Sequence, residues 1–222
     1  MQKYEEQKFD IPELKGISKK SVEEHLKLYS GYVKNTNLII DKIAELSVDS
    51  EKNAFVLGEL QRRFAFEFDG MRNHEYYFRS LEGSGEGSSE AGESGNKKVA
   101  GVKKLTDIAQ DSKSLFTKAI ITQFGSFDAW LARFKVIATT RGIGWAILSY
   151  DMHAEQLVHG WVDEQHLGHL NGLQYIFGID MWEHSYVYDY QPSGKKQYIE
   201  DFLVNVNWAV IEQNFLKALK TS

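Results

Sequence analysis

Histidine and carboxylate side chains carry the chemistry open to this chain, because it has seven histidines and no cysteine. His184 has the most telling surroundings. Asp180 lies four residues before it in Ile179-Asp180-Met181-Trp182-Glu183-His184, at the end of an apolar run. Residues spaced i and i+4 face one point if the chain turns helical there. Placed among aromatic rings at a strand end, both groups would lose water and need partners, and a metal ion is one such partner. His74 follows Asn73 and precedes Tyr76, Tyr77 and Phe78, and His25 stands seven residues before Tyr32, on the same helical face. His25, His74, Asp180 and His184 would make a nitrogen and oxygen donor set suited to zinc, manganese or iron. Four protein ligands would close a tetrahedral zinc site, whereas a redox metal with a fifth, solvent ligand would cycle.

The composition removes several other chemistries. Without cysteine there are no disulfides, iron–sulfur clusters, thiolate zinc sites or cysteine nucleophiles. Lys plus Arg number 26 against 31 Asp plus Glu, a net charge of −5, and the basic residues cluster no further than pairs such as Arg62-Arg63. Nothing in that balance suggests a nucleic-acid partner, and none is expected. No run reaches the roughly 18 apolar residues of a membrane-spanning helix, and the polar start MQKYEEQKFD has neither a signal-peptide core nor an Arg-rich transit pattern. The expectation is a soluble, cytoplasmic protein.

Pro12 and Pro192 are the only prolines, so long helices are allowed almost everywhere. Ser21 to Leu46 reads as a helix with Ser21 as its N-cap, and about Lys52 to Leu81 as a second, with Gly70 inside it. Gly83 to Lys98, GSGEGSSEAGESGNKK, reads as a flexible acidic linker. It is no phosphate loop: no strand precedes it, no Gly-Lys-Ser/Thr follows, and its glutamates would repel phosphate. Ser112 to Gln123 and Ser126 to Thr139 read as helices broken at Gly125. Trp145 to Tyr150, Gln156 to Val162 and Leu173 to Ile179 are short apolar runs typical of strands, and Lys195 to Lys220 returns to helical spacing. Helices and strands are thus segregated, which predicts an α+β protein. Its parts are an N-terminal helical hairpin domain (residues 1–82), the linker (83–98) and a C-terminal domain (99–222) with a small three-stranded antiparallel sheet flanked by helices.

The sequence also carries a family resemblance. Asp180-Met181-Trp182-Glu183-His184-Ser185-Tyr186 resembles the DxWEHxY signature of iron/manganese superoxide dismutases. Tyr32-Val33 with Asn37, Asn73-His74 with Tyr77, Phe124-Gly125-Ser126-Phe127, Gly142-Ile143-Gly144-Trp145 and Asn205-Val206-Asn207-Trp208 resemble five further blocks of that family, in its order. The resemblance implies dismutation of superoxide to O2 and H2O2 by one-electron cycling of a single ion. It implies His25, His74, Asp180 and His184 as ligands, Tyr32 as the gateway tyrosine of the proton supply, and Trp145 and Trp182 as cavity walls. Glu183 would join a homodimer through the partner's His184.

Three departures from the family pattern matter. The family places its first ligand eight residues before the gateway tyrosine, which would select Glu24. We expect His25 instead, with a one-residue deletion or local bulge, since a residue is about 100° of helix. A family histidine between those positions is Leu28 or Tyr29 here, and the tyrosine it reaches across the dimer is Val187, so both ends of one hydrogen bond are gone together. Gly70 stands where many iron members carry a glutamine, so the hydrogen bond to the metal's solvent must come from Glu164-Gln165-His166-Leu167. We expect His166 in that role, with Gln165 as the alternative. Gly70 and Gly178 resemble the manganese pattern, so manganese is favoured over iron. A catalytically silent metal-binding paralogue is the competing reading. A di-metal carboxylate bundle is discounted, because no Glu has a His three residues on.

Overall fold

In the computed structural model, which describes residues 1–83, 93–94, 97–98 and 103–220, two long helices form a hairpin: α1 (Lys19–Leu46) and α2 (Ala54–Leu81). Ser18, rather than Ser21, caps α1, its hydroxyl accepting the Ser21 amide at 3.2 Å. The helix is continuous to Leu46, with no bulge between His25 and Tyr32. Tyr29, Val33 and Ile40 recur at steps of four and seven and line the buried stripe of α1. On α2 the buried positions concentrate in the second half, from Glu67 to Leu81, while the end beside the α1–α2 turn leaves Val48 and Phe55 exposed.

The stretch expected as a flexible linker falls largely outside the described residues. Within it a short antiparallel ribbon pairs β1 (Glu93–Ser94) with β2 (Lys97–Lys98). A six-residue helix, α3 (Leu105–Gln110), follows; the sequence reading did not anticipate it. Next come α4 (Leu115–Phe124) and α5 (Phe127–Ala138), capped by the hydroxyls of Ser114 and Ser126. Between them Gly125 takes φ +85°, a left-handed conformation that favours glycine, and ends α4 as expected.

Three strands follow: β3 (Gly144–Asp151), β4 (Gln156–Asp163) and β5 (Gln174–Asp180). They form the expected antiparallel sheet in the order β4-β3-β5. The central strand β3 is buried on both faces, which is why it reads as a continuous apolar run. Its register sets Trp145 opposite Asp180.

The C-terminal helical run is broken into α6 (Lys195–Asn205) and α7 (Trp208–Lys220). Asn207 makes the break. Its buried side chain accepts the amides of Lys103 (3.1 Å) and Ala209 (3.2 Å) and donates to the Glu82 carbonyl (3.0 Å), while its own amide donates to Ser80 (2.7 Å). One residue thus starts α7 and ties it to the end of α2. The apolar core runs on from the hairpin into the sheet: Tyr77 of α2 stacks on Phe202 of α6 at 5.0 Å between ring centres, and Phe177 of β5 packs on Trp208 at 5.2 Å.

Candidate metal centre

α1 contributes His25, α2 contributes His74, and the end of β5 with the 3-10 turn Glu183–Ser185 contributes Asp180 and His184. One potential donor atom from each lies within 4.8 Å of every other. The convergence is on Oδ2 of Asp180, with Nε2 of His25 at 3.1 Å, of His184 at 3.1 Å and of His74 at 3.5 Å. Oδ1 of Asp180 is used elsewhere, accepting the Trp182 amide at 2.8 Å. His25, His74 and Asp180 are buried, and His184 is partly open.

The tautomer of His74 can be assigned. Its Nδ1 lies 2.6 Å from the Gly70 carbonyl, which only accepts, so Nδ1 carries the proton. Burial, reinforced by the neighbouring His25, pushes this imidazole down to about 3, so it is neutral near pH 7. Nε2 then holds a bare lone pair, buried without a hydrogen-bond partner and aimed at a carboxylate. Two negative poles 3.5 Å apart repel unless a cation lies between them. His25 is likewise lowered by burial, against the pull of Asp180. Burial alone would push the Asp180 carboxyl up, but the His184 and His25 imidazoles outweigh it and hold the group below the usual carboxylate range. A buried carboxylate facing three imidazoles is a donor set for a divalent or trivalent ion, and three nitrogens with one oxygen suit manganese, iron or zinc.

Glu24, the alternative helix-one ligand, points away and pairs with Lys27 at 2.7 Å. In a regular helix seven residues turn about 700°, within ~20° of two full turns, so His25 and Tyr32 share a face without any bulge. Leu28 and Val187 are both exposed, and Tyr29 turns into the core, where its hydroxyl meets the Gln7 amide at 2.8 Å.

Beside the cluster runs a chain of hydrogen bonds. The Trp145 indole donates to Gln165 Oε1 at 2.9 Å, and Gln165 Nε2 donates to the Tyr32 hydroxyl at 3.0 Å. An indole N–H can only donate, so the amide has one satisfactory orientation. Tyr32 therefore accepts from Gln165 and keeps its own proton free to donate. Burial first, then the nearby Asp180 charge, pushes the Tyr32 hydroxyl up, so it stays protonated. Gly70 makes room for this ring, since a Cβ there would come within 2.6 Å of it.

His166 is not in this chain, contrary to the sequence expectation. Asp163 and Leu167 bond to each other through their backbones (2.8 and 3.1 Å), leaving Glu164, Gln165 and His166 as a three-residue loop tip. Gln165 points inward from that tip and is fully buried. His166 packs on Phe66 at 5.7 Å between ring centres. Trp145 packs on His74 and is fully buried, whereas Trp182 stacks on His184 and is half-buried. The sequence reading gave no role to Asn73, whose amide donates to the Gln165 carbonyl at 3.0 Å. Its one signal was its place beside His74.

Residues 112–214 match the family model described as the C-terminal domain of iron/manganese superoxide dismutases. Over 212 residues the chain is 31% identical to the "Superoxide dismutase [Fe]" of Aquifex aeolicus, covering 93% of this chain and 88% of that protein. The chain belongs to the iron/manganese superoxide dismutases. It is also 29% identical over 195 residues to the "Superoxide dismutase [Mn]" of Mycobacterium leprae, covering 87% of this chain and 82% of that one. The "Superoxide dismutase [Fe]" of Tetrahymena pyriformis is 28% identical over 197 residues, with 88% and 90% covered. An iron/manganese superoxide dismutase uses one iron or manganese ion, and the proton-free, partnerless Nε2 of His74 is the feature here that such an ion would satisfy.

Proposed function

We propose that the chain converts superoxide to O2 and H2O2 with one manganese ion, or iron in its place, held by His25, His74, Asp180 and His184. The observation that carries this reading is the buried convergence of three imidazole Nε2 atoms on one oxygen of Asp180. When bound, the ion supplies the one-electron redox chemistry. The side chains do the rest. Asp180 brings negative charge that offsets the ion's positive charge. The Nδ1–H bond to Gly70 fixes the His74 ring with its lone pair facing the centre. Tyr32, turned by the Gln165 amide to donate outward, holds a proton next to the centre for the reduction that yields peroxide. Trp145, Tyr77 and Phe78 keep bulk water from the ligand imidazoles.

Manganese is favoured because Gly70 places no amide beside the centre, so Gln165 from the sheet loop takes that place. We assign the homodimer contact to Glu183 and the partner's His184. Glu183 is exposed, as are Val187 and Tyr188 just after it in sequence. The metal would lie at the seam of two domains, residues 1–82 and 99–222, each giving two ligands. The enzyme is assigned to the cytoplasm; among the described residues no helix is long and apolar enough to cross a membrane. The test is to reconstitute the metal-free protein separately with manganese and with iron, and to measure bound metal and superoxide consumption together. Turnover with manganese at one ion per chain supports the reading. Stoichiometric metal without turnover leaves the silent paralogue.

A further inference from the structure

The Gln165 amide is aimed by its backbone, and that backbone is held in an unusual way. Glu164, just before it, has φ +53°, a left-handed conformation that side-chain-bearing residues rarely adopt. Two successive carbonyls, those of Glu164 and Gln165, each meet a side-chain donor from another element. The Trp182 indole donates to the Glu164 carbonyl at 2.9 Å, and Asn73 Nδ2 to the Gln165 carbonyl at 3.0 Å. The Glu164 amide is fixed as well, donating to Ile143 at 3.2 Å. Asn73 is buried and precedes His74 on α2. One turn of that helix thus carries a candidate metal ligand and the donor that grips the loop.

We infer that Asn73, with the left-handed backbone of Glu164, is a positioning residue that aims the Gln165 amide between Trp145 and Tyr32. The inference rests on the superoxide-dismuting reading of this centre. Without the Asn73 donor the Gln165 carbonyl is left buried and unpaired, and the loop relaxes to find another partner. A β-branched residue at 164 disfavours the left-handed turn, whereas glycine adopts it freely.

A metal-free measurement tests the geometry and a metal-loaded one tests its consequence. The Trp145 indole N–H gives its own resonance in apo-protein labelled with 15N at tryptophan, identified through Trp145→Phe. Gln165→Ala removes its acceptor and moves it. Asn73→Ala and Glu164→Val are expected to move it the same way, and Glu164→Gly to leave it in place. In manganese-loaded protein at unchanged metal stoichiometry, Asn73→Ala should shift the visible band and midpoint potential in the direction of Gln165→Ala and lower turnover roughly tenfold. The double variant should go no further than Gln165→Ala alone, as required of a residue acting through another. An unmoved Trp145 resonance in both Asn73→Ala and Glu164→Val would overturn the inference, as would shifts from Asn73→Ala and Gln165→Ala that simply add. Wild-type protein that binds manganese but consumes no superoxide would overturn the functional reading instead, with the indole measurement still deciding the role of Asn73.

Discussion

At the scale of single residues, Gln165 and His166 are neighbours with opposite fates. Gln165→Ala breaks the Trp145–Gln165–Tyr32 chain, so we expect superoxide turnover to fall roughly 10- to 100-fold with metal still bound. His166→Ala should leave turnover within about twofold of the parent, since its ring faces Phe66; both effects are read from kcat at fixed metal content. The sequence offers both residues and the expectation falls on His166; which side chain turns inward depends on how a three-residue tip closes, and side-chain type carries no trace of that. His25 was more legible. Its seven-residue spacing from Tyr32 returns to the same helical face, while Glu24 sits about 100° away. Elemental analysis checks the contrast: His25→Ala or Asp180→Ala should drop bound metal from near one ion per chain to near none, and Glu24→Ala should keep it. Gly70→Ala drives a methyl group into the Tyr32 ring, which in a packed interior costs about 1–3 kcal/mol and should show as a lower midpoint in urea.

At the scale of elements, the helices and strands were readable where a pattern ran long enough or a residue marked its end, as at Ser126 and Gly125. α3 has six residues, too few for a period to emerge. The break between α6 and α7 contains neither glycine nor proline, and Asn207 ends one helix and starts the next through partners far away in sequence. Asn207→Ala leaves the Lys103 amide and the Glu82 carbonyl without this partner. The expected loss is about 1–3 kcal/mol, or roughly 2–4 °C of Tm for each, measurable by calorimetry. Strand β4 carries another dependence, on pH. His159 lies among Phe124, Trp130 and Phe134, and burial, aided by Arg133, holds its imidazole at about 4 against an ordinary 6.5. The unfolded chain protonates this residue near pH 6.5, whereas the fold keeps it neutral to about pH 4. Its contribution to stability is therefore complete above that upper value and fades as pH falls through the window. Thermal midpoints from pH 7 to 5 should fall less steeply in His159→Gln than in the parent.

At the scale of the whole molecule, the family and fold class were legible because six short blocks recur in one order, not because any local pattern revealed them. The meeting of the donors was not legible from residue types alone. His25 and Asp180 are separated by 155 positions, and no periodicity reaches that far. The assembly extends the same logic outward. Glu183→Ala should weaken the proposed homodimer, seen by sedimentation velocity as a shift toward monomer on dilution, with the apo-fold intact by circular dichroism. The wide spread of the four donors also sets a clock for the newborn polypeptide. His25 and His74 are synthesised first, and Asp180 and His184 follow more than a hundred positions later, roughly 5–30 s at ordinary elongation speeds of about 5–20 residues per second. The proposed set of donors is thus complete only once residue 184 has been made, so a cation that needs all four is captured no earlier than that.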